Sequence, residues 1–128
     1  MNWLKQLLKP RTRVQPVAID DSNFDREVLR SDLPVMVDVW SDGCAPCKQL
    51  EPIVMDIARD YQGRLKVVEL HGARAPHTLA RLGVRGTPTV LYFDQGQEVE
   101  RIVGFRGSLY HREFLDHELL TEPVASAT

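Results

Sequence analysis

Apolar runs alternate with amphipathic segments through the middle of the chain, the pattern of an α/β domain. Pro34-Val35-Met36-Val37-Asp38-Val39-Trp40 is apolar at nearly every position, which predicts a central strand covered on both faces. Asp38 is the exception within it. Pro16 to Ile19 predicts a short strand, and Ser22, three before Asp25, suggests a capped helix carrying Phe24, Val28 and Leu29 to about Arg30. Ile53, Val54, Ile57, Ala58 and Tyr61 recur at helical spacing and predict a helix from about Ala45 to Gln62, kinked at Pro52 and stopped by Gly63. Further strands are expected at Leu65 to Leu70, at Thr89 to Phe93 and, past a Gln95-Gly96 turn, at Glu98 to Val103, whose charges suit an exposed edge. Pro76 to Leu82 predicts a short helix. A last one should run from Gly107-Ser108 to about Leu120, with Tyr110, Phe114, Leu115 and Leu119 facing the core. This order implies a mixed sheet.

The ends differ from the body. Trp3, Leu4, Leu7 and Leu8 fall on one helical face beside Lys5 and Lys9 until Pro10 breaks the turn, a face suited to a membrane surface, to a partner, or to packing on its own domain. Lys5 and Gln6 interrupt the apolar residues before a signal-peptide core can form, so the cytoplasm is the expected compartment. Arg11 to Gln15 reads as a linker. The expected organisation is an N-terminal segment and linker (1–15), a domain (16–120) and a small-residue tail (121–128).

Composition narrows the function. The 128 residues are 43% hydrophobic and 27% charged, as in an ordinary globular domain and unlike a disordered or membrane-embedded chain. A net charge of -2 offers no general attraction to nucleic acid. The two cysteines stand three positions apart and cannot staple a long loop, so their value must be local chemistry.

Cys44-Ala45-Pro46-Cys47-Lys48 lies where the buried strand gives way to a helix. If that helix begins around Cys44, unpaired N–H groups and the positive end of the helix dipole face its sulfur and favour the thiolate. Cys44 is then the nucleophile. Cys47, one turn further in, can attack a mixed disulfide formed there, and Pro46 sits in the first turn, where its missing N–H costs nothing. Zinc would need four ligands; no second cysteine pair exists, and neither His71 and His77 nor His111 and His117 have the usual ligand spacing. A lone Cys-x-x-Cys near a βαβ pattern favours redox chemistry over zinc or inert packing thiols.

At this point the chain resembles the thioredoxin family, from about Pro16 to Leu120. The strand Val35 to Trp40 is similar to the family's central strand, Cys44 to Lys48 to its active site, and Pro52 to its helix proline. Gly83-Val84-Arg85-Gly86-Thr87-Pro88-Thr89 is similar to the segment bearing the cis-proline that faces the dithiol, and Val103-Gly104 to the loop beside the substrate groove. The resemblance implies a thioredoxin fold, a five-strand mixed sheet with helices on both faces. It implies that Cys44 attacks protein disulfides, that Cys47 resolves them and that Asp38 exchanges the Cys47 proton. Gly43, Ala45, Pro46, Thr87, Pro88, Val103 and Gly104 would contact substrate. The redox-active Cys44–Cys47 disulfide would serve without cofactor or metal.

Three positions depart from the family pattern. Gly43 replaces the tryptophan that usually precedes the first cysteine, removing an aromatic wall. Ala45-Pro46 replaces Gly-Pro, adding a methyl. Glu69 stands where thioredoxins carry a lysine beside the buried aspartate; by period two it shares a face with Leu65 and Val67 and is expected either to point towards Asp38 or to remain solvated. Glu69 and Lys48 are thus candidate modulators of proton affinity. The expected function is protein disulfide reduction on disulfide-containing clients, with electrons from an NADPH-dependent thioredoxin reductase. The alternative is a thioredoxin-like chaperone or assembly factor that binds chosen clients with little turnover. An oxidase or isomerase is less supported, since nothing places the chain in an oxidising compartment.

Overall fold

The structure, a computed structural model, describes residues 14–121; the face formed by Trp3, Leu4, Leu7 and Leu8 lies outside the described residues. Five strands form one sheet: β1 (Val17–Ile19), β2 (Val35–Trp40), β3 (Lys66–His71), β4 (Thr89–Asp94) and β5 (Gln97–Val103), in the order β1-β3-β2-β4-β5. β3 runs parallel to both β1 and β2, while β4 is antiparallel to β2 and to β5. The helices are α1 (Asp25–Leu29), a short π-type segment, α2 (Ala45–Asp60), α3 (Pro76–Leu82) and α4 (Ser108–Phe114), which widens into a π-type turn over Leu115–Leu119. This is the thioredoxin fold expected from the sequence.

Strand periodicity sorts the core into two layers. On one face Met36, Val67, Val90, Tyr92 and Ile102 meet Leu50, Val54 and Ile57 of α2 and Leu115 of the C-terminal turn. On the other, Val35, Val37, Val39, Val68, Leu70, Leu91 and Phe93 meet Phe24 and Val28 near α1 and Leu79 of α3. Each fully buried aliphatic or aromatic side chain contributes about 1.5–3 kcal/mol, so covering β2 on both sides holds it firmly in place. Val14, in the segment read as a linker, packs against the first layer.

Local details depart from the sequence reading. Ser22 does not cap α1; its hydroxyl and amide both turn back to Asp20 Oδ1, and a π-type segment follows. Pro52 lies inside α2 without ending it. Gln95 and Gly96 make the β4–β5 turn with φ of 54° and 79°, and a Cβ at Gly96 would meet the Leu29 carbonyl oxygen at 2.8 Å. Only glycine suits both the dihedral and the approach.

In α4 the fully buried residue is His111, and Phe114 packs partly buried against the first layer as expected. Tyr110 is exposed, beneath the Arg106 guanidinium, because the helix is phased to present the next residue inward. His111 is fully buried, its Nδ1 hydrogen-bonded to the Tyr92 hydroxyl at 2.7 Å, and its Nε2 has no partner among the described residues. Burial disfavours the imidazolium and pushes its pKa down to about 4, while the buried Tyr92 phenol is pushed up.

Two outcomes follow for this pair. Tyr92→Phe should destabilise the fold by about 1–3 kcal/mol by stranding Nδ1, whereas Tyr92→Phe with His111→Leu should recover most of that loss, as read by urea unfolding. Because His111 binds a proton more weakly folded than unfolded, the wild type should lose up to about 3 kcal/mol as pH falls from 6.5 to 4. His111→Leu should flatten that part of the stability profile.

Candidate active site

β2 ends at Trp40, and a four-residue loop, 41–44, carries the chain into α2. Cys44 occupies the cap position with extended backbone, and its Sγ accepts a hydrogen bond from the Cys47 amide at 3.2 Å. Ala45 and Pro46 form the first helical positions, where proline withholds no needed donor. Cys44 and Cys47 are joined by a disulfide. Cys44 is half-buried, Cys47 buried, and Ala45, Pro46 and Lys48 exposed. The cap position gives Cys44 both the free amides of the helix start and access to a partner.

Gly43 has φ +69° with open space around its missing side chain. A tryptophan there would have to adopt a backbone conformation that side chains resist, so this loop is shaped for glycine. Ser41 hydrogen-bonds the Thr87 hydroxyl, tying the loop to the segment before β4. The Thr87–Pro88 peptide is cis. The Pro88 carbonyl accepts from the Gly104 amide at 2.8 Å, and Val103 is the register partner of Thr89. Val103 is 73% exposed, leaving an apolar side chain and a short run of backbone at the same end of the sheet as the dithiol.

Beneath the cysteines, Asp38 is only 5% exposed and its Oδ1 has no hydrogen-bond partner among the described residues. Asp38 and Glu69 are partners across β2 and β3, so both side chains leave the sheet on the α2 face. One cavity of about 340 Å³ is lined by Cys47, Lys48, Gly43, Asp38, Glu51 and Glu69. Burial first, then the Glu69 and Glu51 carboxylates, push Asp38 up to about 7; partial burial and Glu51 raise Glu69 as well. Glu69 is therefore neither fully solvated nor fully buried, and it faces Asp38.

The structure thus brings Cys47, Asp38, Glu69 and Lys48 around one hollow, with Cys44 bonded to Cys47, and puts Thr87, Pro88, Val103 and Gly104 together by the β4–β5 ladder. Glu51 escaped the sequence reading, although its i+4 spacing from Cys47 on a predicted helix was a usable signal. The contacts from Ser41 to Thr87, and from Asp42 Oδ2 to His71 Nε2 at 3.2 Å, join residues distant in sequence and carried no such signal. Among the described residues no cluster of His, Cys, Asp and Glu could hold a metal ion, and no helix is long and apolar enough to cross a membrane.

Comparison with known proteins agrees with this arrangement. The sequence model of the Thioredoxin family matches residues 15–116. Thioredoxin 1 of Nostoc sp. is 42% identical over 86 residues, which cover 67% of this chain and 80% of that one. The thioredoxin of Pseudomonas aeruginosa is 40% identical over 100 residues, covering 78% and 93%. The chloroplastic M-type thioredoxin of Pisum sativum is 36% identical over 99 residues, covering 77% and 58%. With a family match over most of its length, relatives at about two-fifths identity and a Cys44–Cys47 disulfide at a helix start, this chain belongs to the thioredoxin family and is a thiol–disulfide oxidoreductase with disulfide reductase chemistry.

Proposed function

We propose that the protein reduces disulfides of client proteins by a two-step exchange, with Cys44 as nucleophile, Cys47 as resolving thiol and Asp38 as proton acceptor. The observation that carries the assignment is the asymmetry of the pair: Cys44 is half-buried at the helix start, Cys47 is buried, and Asp38 lines the cavity that Cys47 shares. The Cys44 thiolate attacks one client sulfur, and the other leaves as a thiolate. Asp38 takes the Cys47 proton, and the Cys47 thiolate attacks Cys44 Sγ, releasing the second client sulfur. The protein ends with the Cys44–Cys47 disulfide, and two electrons have passed to the client. An NADPH-dependent thioredoxin reductase is the proposed donor that restores the dithiol, in the cytoplasm.

The groove reading assigns the backbone at Thr87, the Pro88 ring, Val103 and Gly104 to an extended client segment, with Gly43, Ala45 and Pro46 as its other margin. Gly43 lowers that margin, which favours clients that present bulk to it. Residues 16–120 are proposed as the working unit. The apolar face of Trp3, Leu4, Leu7 and Leu8 is assigned to docking on a membrane surface or partner.

Reduced protein treated with limiting iodoacetamide at pH 7 should be alkylated at Cys44 before Cys47, and Cys47→Ser should accumulate mixed disulfides with clients. Insulin reduction with NADPH and thioredoxin reductase should show turnover in the wild type. Stable client trapping by the wild type without turnover would instead identify a binding factor.

Asp38 binds its proton more tightly folded than unfolded, so its burial penalises the native state as pH rises from about 4 to about 7. Asp38→Asn should therefore stabilise the protein by up to about 4 kcal/mol above pH 7 and by little at pH 4, in urea unfolding, while slowing resolution of mixed disulfides. Deleting residues 1–13 should leave thermal stability and small-disulfide reduction unchanged and weaken vesicle or partner association; a collapse in stability would place that segment in the core.

A further inference from the structure

Four carboxyl groups line the hollow that reaches Cys47, and the cycle above employs one; Asp42 is paired with His71 Nε2 at 3.2 Å, which leaves Asp38, Glu69 and Glu51. Asp38 and Glu69 are neighbours in register on β2 and β3. Glu51 follows Cys47 by four positions on α2, which places both on one face of that helix. All three line the cavity that reaches Cys47, and all three line a second hollow beside Gln15, Pro16 and Val54. Their exposure is graded: Asp38 is buried, Glu69 half-buried and Glu51 exposed. Asp38 Oδ1, at 5% residue exposure, has no hydrogen-bond partner among the described residues, and Glu69 makes neither a side-chain hydrogen bond nor an ion pair among them.

We propose that Asp38, Glu69 and Glu51 form a graded carboxyl relay in which Glu69 and Glu51 carry to solvent the proton that Asp38 takes from Cys47. The inference rests on the reading of Asp38 as that proton's acceptor. Cys47 S–H gives its proton to the Asp38 carboxylate. The resulting thiolate bonds to Cys44 Sγ, and the electron pair of the Cys44–client bond leaves on the client sulfur. The proton then passes from Asp38 to Glu69 or Glu51 and on to water or to the departing thiolate, returning Asp38 to its ionised form.

The relay works because its members are matched. A carboxyl deep under an apolar layer gains a proton readily and gives it up to ordinary surface carboxylates at a cost; a half-buried neighbour with raised proton affinity is an intermediate station. Like charges in one cavity also disfavour simultaneous ionisation: the Glu69 carboxylate raises the proton affinity of Asp38, and Glu51 raises that of both. The other charged groups facing them are Lys48 and Asp42, which line the same cavity, and His71 and Arg74, which share a further hollow with Asp42 and Glu69. Neither Ala18 nor Ile19 of β1, beside Glu69 in that hollow, carries a charge. Lys48 is exposed, and His71 is held by Asp42.

The test uses the protein's own disulfide, so it does not depend on client turnover. Reduction of Cys44–Cys47 by dithiothreitol, and reoxidation of the dithiol by a small disulfide, are followed by stopped-flow tryptophan fluorescence from pH 5 to 9, with the carboxyl groups of wild type and variants titrated by NMR. The wild type should show two coupled carboxyl steps and a matching two-step pH–rate profile. Glu69→Gln should collapse these to one step and move the acid limb down by about one pH unit, which is about tenfold in rate on that limb. Glu51→Gln should move it in the same direction by less, and Glu69→Asp should restore the two-step form. His71→Gln should leave the profile in place. The relay is overturned if Glu69→Gln and Glu51→Gln keep the wild-type profile, or if His71→Gln removes the second step. Failure of insulin reduction alongside an intact two-step profile would count against the client reading and leave the relay standing.

Discussion

The burial of β2 from Val35 to Val39 is the constraint from which the rest follows. Val35, Met36, Val37 and Val39 are covered on both faces by helices and flanked on both edges by strands, so a one-residue slip would exchange every side chain between the layers. That rigidity sets where Asp38 points. It also sets where the chain leaves the sheet at Trp40, and hence where α2 can begin. Cys47 shares a cavity with Asp38 because α2 begins shortly after the strand that carries Asp38 ends.

Two buried polar groups show how differently the fold treats such residues. His111 has exchanged water for the Tyr92 hydroxyl and is kept neutral by burial, a structural solution in which two polar side chains replace an apolar contact. Asp38 has no such partner for Oδ1 among the described residues, and the Glu69 and Glu51 carboxylates raise its proton affinity beyond what burial does. A group that costs stability and sits in a cavity shared with a redox cysteine is where the proposed proton acceptor belongs.

The dithiol and the proposed client groove come from different parts of the chain. The dithiol belongs to the β2–α2 junction, whereas Pro88, Val103 and Gly104 are held at its side by the β4–β5 ladder and the bond from Gly104 to Pro88. Ser41 and Thr87 fasten the two parts together. The left-handed backbone at Gly43 means that the open margin next to Cys44 is a property of the loop's path as well as of its missing side chain.

Elements with strong periodicity were legible in the sequence: the apolar run at Val35–Trp40, the helical stripe from Ile53 to Tyr61 and the alternating strands each bury a face that only one period allows. The dithiol was equally legible, because its chemistry resides in two residues three apart at a strand–helix junction. Less was legible where a side chain's environment depends on residues far away in the chain. Whether α4 turned Tyr110 or His111 inward was decided by the Tyr92 hydroxyl waiting on β4. Whether Glu69 was solvated or faced Asp38 was decided by the register of β2 on β3. Glu51 joined the cavity only because α2 lies across that same face. Local sequence determines which surfaces must be buried, since periodicity acts within a single element; tertiary structure alone decides which polar groups share a low-dielectric space, and their proton affinities depend on that sharing.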